Sequence, residues 1–345
     1  MNDFTHILQQ LSDSKDLTPG QAGYALQEIV DGRVNGSRIA AFLYGMSCKG
    51  ETIEELTAFV HVMREAAVKV EVDLEHAIDL CGTGGDKSGS FNISTATMFV
   101  VAGAGVPVLK HGNAGVSSRS GSYDVLKSLG VRPELKKDQV EACFRNTNTA
   151  FMFAPLFHPA MAHVMPARKE LGIRTFFNIM GPMLNPAGVK RQIVGAFNRE
   201  TARKIINILA NTGSDFAYTV HADDGLDEFS NTAATHVYQL TNGTVQPEML
   251  FDAGVFGIST ATKEQLQGGE PDENAAIIRR ILDDNATDAQ REVVILNATF
   301  GIHASGMYTD LQEAYYEAQE SLETGKARYV LKQFVEATSD LAATS

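Results

Sequence analysis

Apolar residues fall at helical spacing from the start of the chain: Phe4, Ile7, Leu8 and Leu11 share one face. Thr18 followed by Pro19 reads as an N-cap and a first-turn proline, because proline lacks an N–H that a helix start leaves unpaired anyway. Ile29-Val30 gives way to Asp31-Gly32, residues 37–47 are apolar on one side, and Lys49-Gly50 stops them. Thr52 with Glu55 three residues on is a capping-box signature for a further helix. The chain up to about residue 70 therefore predicts a helical block with few chemically active groups.

From about Val72 short buried runs appear, several followed by glycines or acidic residues. Residues 77–81, 106–109, 192–196, 216–220 and 293–297 read as strands, with helical runs such as 96–102 and 123–129 between them. That alternation predicts a wound α/β domain with a central, mostly parallel sheet, whose ligands sit beyond the carboxyl ends of the strands. A helix-like insert spans 165–186 and ends in Gly181-Pro182 and Asn185-Pro186. The expected organisation is a small all-helical domain, 1–72 plus about 166–190, beside a larger α/β domain, 73–165 plus 191–345.

A length of 345 residues suits one large domain plus a smaller one. The formal net charge of −13, with scattered lysines and arginines, makes nucleic acid and anionic membranes poor partners. Cys48, Cys81 and Cys143 are widely spaced and suggest neither a zinc site nor a disulfide framework. Residues 1–10 lack a basic start and apolar run, and the most apolar stretch, 98–109, is far short of the ~20 residues that cross a bilayer. A cytoplasmic protein is expected.

Three loops carry candidate chemistry. The first, 82–95, follows a strand and opens into a helix: Gly82-Thr83-Gly84-Gly85-Asp86, then Ser90, Asn92, Ile93, Ser94 and Thr95. Close glycines and a helix start suit an anion. Lys87 stands where a dinucleotide fingerprint needs glycine, and Ser90 where a P-loop needs lysine. The same glycines would serve a tight turn, and Ser94 or Thr95 a helix N-cap; Asn-x-Ser-Thr behind Gly-x-Gly-Gly-Asp is more specific. The second loop, 110–122, is almost wholly polar or small, with Lys110 and Arg119 as cations suited to phosphate, or else a solvated loop. The third, 223–228, sets four carboxylates within six residues, which repel one another unless a cation such as Mg²⁺ is present. Asp223 and Asp224 read more simply as a solvated acidic turn. A fourth segment, with Phe151, Phe153, Phe157 and His158, precedes Arg168; alone, His158 reads as a packing residue and Arg168 as a surface helix residue.

Taken together, these segments resemble the anthranilate phosphoribosyltransferase family along nearly the whole chain. The motifs are Gly-Thr-Gly-Gly-Asp at 82–86, Asn-Ile-Ser-Thr at 92–95, Lys-His-Gly-Asn at 110–113, Ser-Ser-x-Ser-Gly-Ser at 117–122, His-Pro-Ala-Met at 158–161, Pro-x-Arg at 166–168, Gly-Pro-x-x-Asn-Pro at 181–186 and Asp-Glu at 227–228. The resemblance implies transfer of the phosphoribosyl group of phosphoribosyl pyrophosphate (PRPP) to anthranilate, with Mg²⁺, in a homodimer joined by its helical domain. It further implies PRPP contacts at Gly82, Gly85, Asp86, Ser90, Asn92, Ile93, Ser94 and Thr95, and in the second loop at Lys110, His111, Gly112, Asn113, Ala114, Gly115, Val116, Ser117, Ser118 and Ser122. Anthranilate contacts fall on Gly82, Asn113 and Arg168, and Mg²⁺ ligands on Ser94, Asp227 and Glu228. No general acid or base is assigned; His111 is the one side chain considered for taking the amine proton.

Two positions depart from the family. Ala114 replaces the usual arginine after Lys-His-Gly-Asn, which removes a cation from a phosphate-facing loop, and Tyr123 replaces a small residue. The alternatives are a pyrimidine nucleoside phosphorylase, where Lys-His-Ser would stand at 110–112 and a further C-terminal domain would follow, and a silent nucleic-acid-binding relative, which Asp227-Glu228 and the acidity oppose.

Overall fold

The computed structural model of the chain describes residues 3–115 and 119–343. Four helices open it: α1 (Phe4–Ser12), α2 (Pro19–Val30), α3 (Gly36–Lys49) and α4 (Ile53–Glu65). Thr18 and Thr52 each close a capping box, with Gln21 and Glu55, and Pro19 occupies the first turn of α2. Glu55 does more than cap. Its fully buried carboxylate accepts from Leu17 N at 2.7 Å and from Lys49 Nζ at 2.8 Å, so one side chain ties together the turns before α2 and α4. A second helical piece, Met161–Leu171 followed by the short turn Phe177–Met180, packs on this bundle. The Phe176 ring stacks on Phe59 with centroids 4.5 Å apart.

The sheet contains β1 (Ile78–Gly82), β2 (Val108–Gly112), β3 (Thr149–Phe153), β4 (Arg191–Gly195), β5 (Phe216–Ala222), β6 (Thr235–Thr241), β7 (Thr244–Val245) and β8 (Met249–Phe251). Its order is β3-β2-β1-β4-β5-β6-β7, with β8 also paired to β6. The first five strands are parallel and the rest antiparallel, so the sheet is mostly parallel as expected. One face is covered by α5 (Ile93–Gly103) and the C-terminal helices. The helix Arg199–Asn211 covers part of the other, and there the apolar core runs on into the N-terminal bundle.

Two sequence expectations change. Residues 293–297 are not a strand but lie inside the helix Asp288–Ser305. That helix is buried on nearly all sides against α5 and the sheet, so its apolar run shows no amphipathic period. The aromatic segment around Phe151, for which no strand is expected, begins as one: Phe151 and Phe153 lie in β3.

Candidate functional site

Strands β1 and β4 lie side by side and end in paired glycines, Gly82 opposite Gly195. The chain leaves β1 towards β2 and β4 towards β5, so a crevice opens between them, which is where wound sheets bind ligands. Asp227 lies directly over the glycine pair. A Cβ on Gly82 would sit 2.8 Å from Asp227 Oδ2, and one on Gly195 only 1.6 Å from the Asp227 carbonyl oxygen. The first loop is lashed to β4 by Thr83, whose N–H donates to Gly195 O at 2.8 Å and whose hydroxyl accepts from Phe197 N at 3.1 Å.

Beside Asp227, Glu228 Oε1 accepts from Ser94 N at 3.1 Å, in the first turn of α5, where the helix dipole favours an anion. Both carboxylates are only partly covered by area, yet they sit deep among protein atoms. Burial, reinforced by the charge of Asp86, pushes Asp227 up to about 7. Burial and the charge of Asp227 push Glu228 well above the usual carboxylate range. Asp86 Oδ2 is buried without a hydrogen-bond partner. Acceptors in surplus, all hard oxygens, fit a magnesium-like cation. Among the described residues, no group of three or more His, Cys, Asp or Glu side chains is placed to hold a metal ion.

Lys110 departs from its expected place. Its side chain is 2% exposed; Nζ donates to Leu80 O and to Ser94 Oγ, the latter at 3.2 Å. It lies beneath the start of α5, where its charge favours the ionised forms of Asp79 and Glu228. Arg119 is exposed.

The first loop turns at Gly84 and Gly85, with φ of +65° and +74°, values that side chains resist. Arg174 Nη2 donates to Gly85 O at 2.5 Å while its guanidinium lies 4.5 Å from the Phe197 ring centre. Further along, Ser90 bridges to Gln267, and Ile93 is core by side chain, leaving only its backbone for a ligand. The helix N-cap is Asn92, not Ser94 or Thr95. Its amide spans three segments: Nδ2 donates to Ser120 O at 3.1 Å, and Oδ1 accepts from Asn274 Nδ2 at 2.9 Å. Thr95 Oγ1 is buried and unpartnered.

The second loop folds back on α6 (Ser122–Ser128). A Cβ on Gly112 would meet Ser122 Oγ at 2.2 Å. Asn113 O accepts from Tyr123 N at 3.2 Å, and Asn113 Oδ1 from Ala114 N at 2.8 Å. The Tyr123 ring stacks on Phe153 at 4.2 Å, which gives the bulkier residue a packing role away from the loop. Val116, Ser117 and Ser118 lie outside the described residues.

Other candidates separate from this centre. Asp223 pairs with His236 at 2.8 Å, and Asp224 accepts from Ser230, Thr232 and the Leu226 N–H, so both serve the turn. His111 faces His158, ring centres 5.2 Å apart. Burial pulls His111 down to about 3 and His158 to about 4, which leaves His111 neutral and a poor proton acceptor. Arg168 stacks over Phe177 at 5.1 Å and meets Met165 Sδ at 3.9 Å, with no carboxylate partner among the described residues; burial lowers its basicity. No hydrogen bond ties Arg168 to Gly82 or Asn113. Arg174 and Asn274 were missed in the sequence, where neither stands out from ordinary helical or loop surroundings.

Residues 5–67 match the glycosyl transferase family helical bundle domain, and residues 74–328 match the glycosyl transferase family a/b domain. The chain is 46% identical over 324 residues to anthranilate phosphoribosyltransferase of Salinibacter ruber, covering 93% of this chain and 94% of that one. It is 42% identical over 337 residues to the enzyme of the same name from Pelotomaculum thermopropionicum, covering 98% and 97%. Among solved structures, the anthranilate phosphoribosyltransferase of Thermus thermophilus superposes with a TM-score of 0.90 at 34% identity, covering 96% of this chain and 99% of that one. The Saccharomyces cerevisiae enzyme in complex with PRPP and Mg superposes with a TM-score of 0.88 at 25% identity, covering 98% of each. Full-length similarity of this extent, joined to the ordered motifs and the carboxylate pair at the crevice, places the chain in the anthranilate phosphoribosyltransferase family.

Proposed function

We infer that the chain transfers the 5-phosphoribosyl group of PRPP to the amino group of anthranilate, releasing pyrophosphate, in tryptophan biosynthesis, with Mg²⁺ as cofactor. The observation that carries this reading is Asp227 with Glu228: two deep carboxylates raised by burial, Asp227 also by the charge of Asp86 and Glu228 by that of Asp227, with Asp227 set over the Gly82–Gly195 crevice. Ser94, Asp227 and Glu228 are the residues that would hold the metal. When bound, Mg²⁺ offsets the charge of PRPP and the negative charge that builds on the departing pyrophosphate.

In the reaction the C1–O bond to pyrophosphate breaks with its electron pair and a C1–N bond forms, after which the amine loses a proton. The first loop and the start of α5 present backbone donors to the anionic donor substrate. The second loop, Lys110 to Ser122, forms the rest of that site, with Lys110 acting from below as a countercharge. Arg168 offers a planar guanidinium to the acceptor carboxylate, with Gly82 and Asn113 alongside. An aromatic amine needs no strong base before attack, so positioning it against C1 is the main task. A neutral, buried His111 agrees with that.

The 1–72 bundle with 166–190 is assigned as the dimerisation domain of a cytoplasmic homodimer. Exposed Tyr44 and Ile173, at 57% and 43%, supply apolar surface on this part. No helix among the described residues is long and apolar enough to cross a membrane. Sedimentation equilibrium should give twice the chain mass; a monomer at micromolar concentration would remove the dimer. Calorimetric titration of PRPP tests the metal: binding is expected with Mg²⁺ and lost on chelation, and metal-independent binding would overturn that role.

A further inference from the structure

We propose that Asp124 is a positioning residue for the phosphoribosyl donor, fixing the neck of the second loop before substrate arrives. The inference rests on the PRPP reading above. Asp124 lies in the first turn of α6, and its Oδ2 accepts two backbone N–H groups, from Gly121 at 2.8 Å and from Gly115 at 2.7 Å. The Gly121 bond is an ordinary helix cap: an N3 carboxylate reaching back to the N-cap N–H. The Gly115 bond is not, because Gly115 lies outside the helix on the incoming arm of the loop. One oxygen therefore clamps both arms.

The arms are also in close contact. A Cβ on Gly121 would stand 2.4 Å from Gly115 N and 2.5 Å from both Ala114 C and Asn113 O. Asn113 O in turn accepts from Tyr123 N at 3.2 Å, so the loop is closed from the helix side at two levels. Charge-assisted bonds are the strong ones, and a loop fixed in advance loses less entropy when a ligand orders it. Asp124 is itself an anion, so direct contact with a phosphate would be repulsive; its contribution is to hold Asn113, Ala114, Gly115 and Ser122 in place.

The test uses the full-length enzyme with Mg²⁺, comparing wild type, Asp124→Ala and Asp124→Asn by calorimetric titration of PRPP and by steady-state kinetics. Asp124→Ala should weaken PRPP binding and raise its KM by about 10- to 100-fold, with a smaller rise in the anthranilate KM, because Asn113 is one of three residues assigned to the acceptor and Gly82 and Arg168 lie outside the clamped loop. Asp124→Asn keeps an acceptor oxygen without the charge and should fall between, about three- to tenfold weaker. A PRPP constant equal to or tighter than wild type in Asp124→Ala overturns the proposal. So does an equal rise in both KM values with no rescue by asparagine. If the alanine variant does not fold, a wild-type PRPP constant in Asp124→Asn overturns it. A wild-type protein that binds no PRPP would instead defeat the functional reading.

Discussion

The carboxylate of Asp227 occupies the space where a side chain on Gly82 would begin, 2.8 Å from the position of its Cβ. Gly82→Ala should therefore push that carboxylate aside while sparing the fold. Misplacing a reacting-site group by about 1 Å can cost ~100-fold, so turnover should drop on that scale with little change in melting temperature. Gly195→Ala is the contrasting case, because its Cβ would strike the Asp227 backbone oxygen at 1.6 Å. It should destabilise by about 3 kcal/mol or more, read by denaturant unfolding. Equal melting of Gly195→Ala and wild type would show that the backbone yields.

Asp227→Asn combined with Glu228→Gln should abolish turnover and Mg²⁺-dependent PRPP binding. The same variant should be at least as heat-stable as wild type without ligand, since it removes two carboxylates that burial and repulsion hold in raised states. Normal activity would remove the metal assignment; a sharp loss of stability would mean the pair is structural.

Much of this site was legible because its motifs are contiguous. Gly82 to Thr95 and Lys110 to Gly115 read as anion loops; in the structure the first leaves β1 at Gly82, while Lys110 to Gly112 still belong to β2 and only the residues from Asn113 on lie beyond it. What the sequence hid depends on partners far away in the chain. Lys110 reads as a phosphate-facing cation until β2 is seen to direct it under Ser94. Asn274 shows no pattern, yet it holds Asn92 from 182 residues away. Residues 293–297 failed differently: a short apolar run carries no period that separates a buried strand from a helix buried all round.

Arg168 has no carboxylate partner among the described residues and stacks only on Phe177. Arg168→Ala should raise the anthranilate KM about 10- to 150-fold, corresponding to roughly 1.5–3 kcal/mol for a charge-assisted contact. The PRPP KM should move little. If both rise together, Arg168 supports the helical insert and does not contact the acceptor.

The buried histidines predict acid sensitivity. Their folded values, about 3 for His111 and about 4 for His158, lie below the ordinary ~6.5 of the unfolded chain. The stability they contribute is complete above about pH 6.5 and declines as pH falls towards their folded values, because the unfolded state binds protons first. Each histidine adds about 1.4 kcal/mol per pH unit to that slope near pH 5. Unfolding free energies of wild type and His158→Asn between pH 6.5 and 5 should differ in slope by about one proton. Parallel curves would place His158 in contact with water.

The central claim is tested most directly by the fluorescence of anthranilate in a mixture of the protein, PRPP and Mg²⁺. The signal should decay as anthranilate is consumed, with one pyrophosphate released per anthranilate, and should hold steady when PRPP or Mg²⁺ is omitted. A steady signal in the complete mixture, from folded protein at saturating substrates, would contradict the assignment; phosphate-dependent release of a base from uridine or thymidine by the same protein would point to nucleoside phosphorolysis instead.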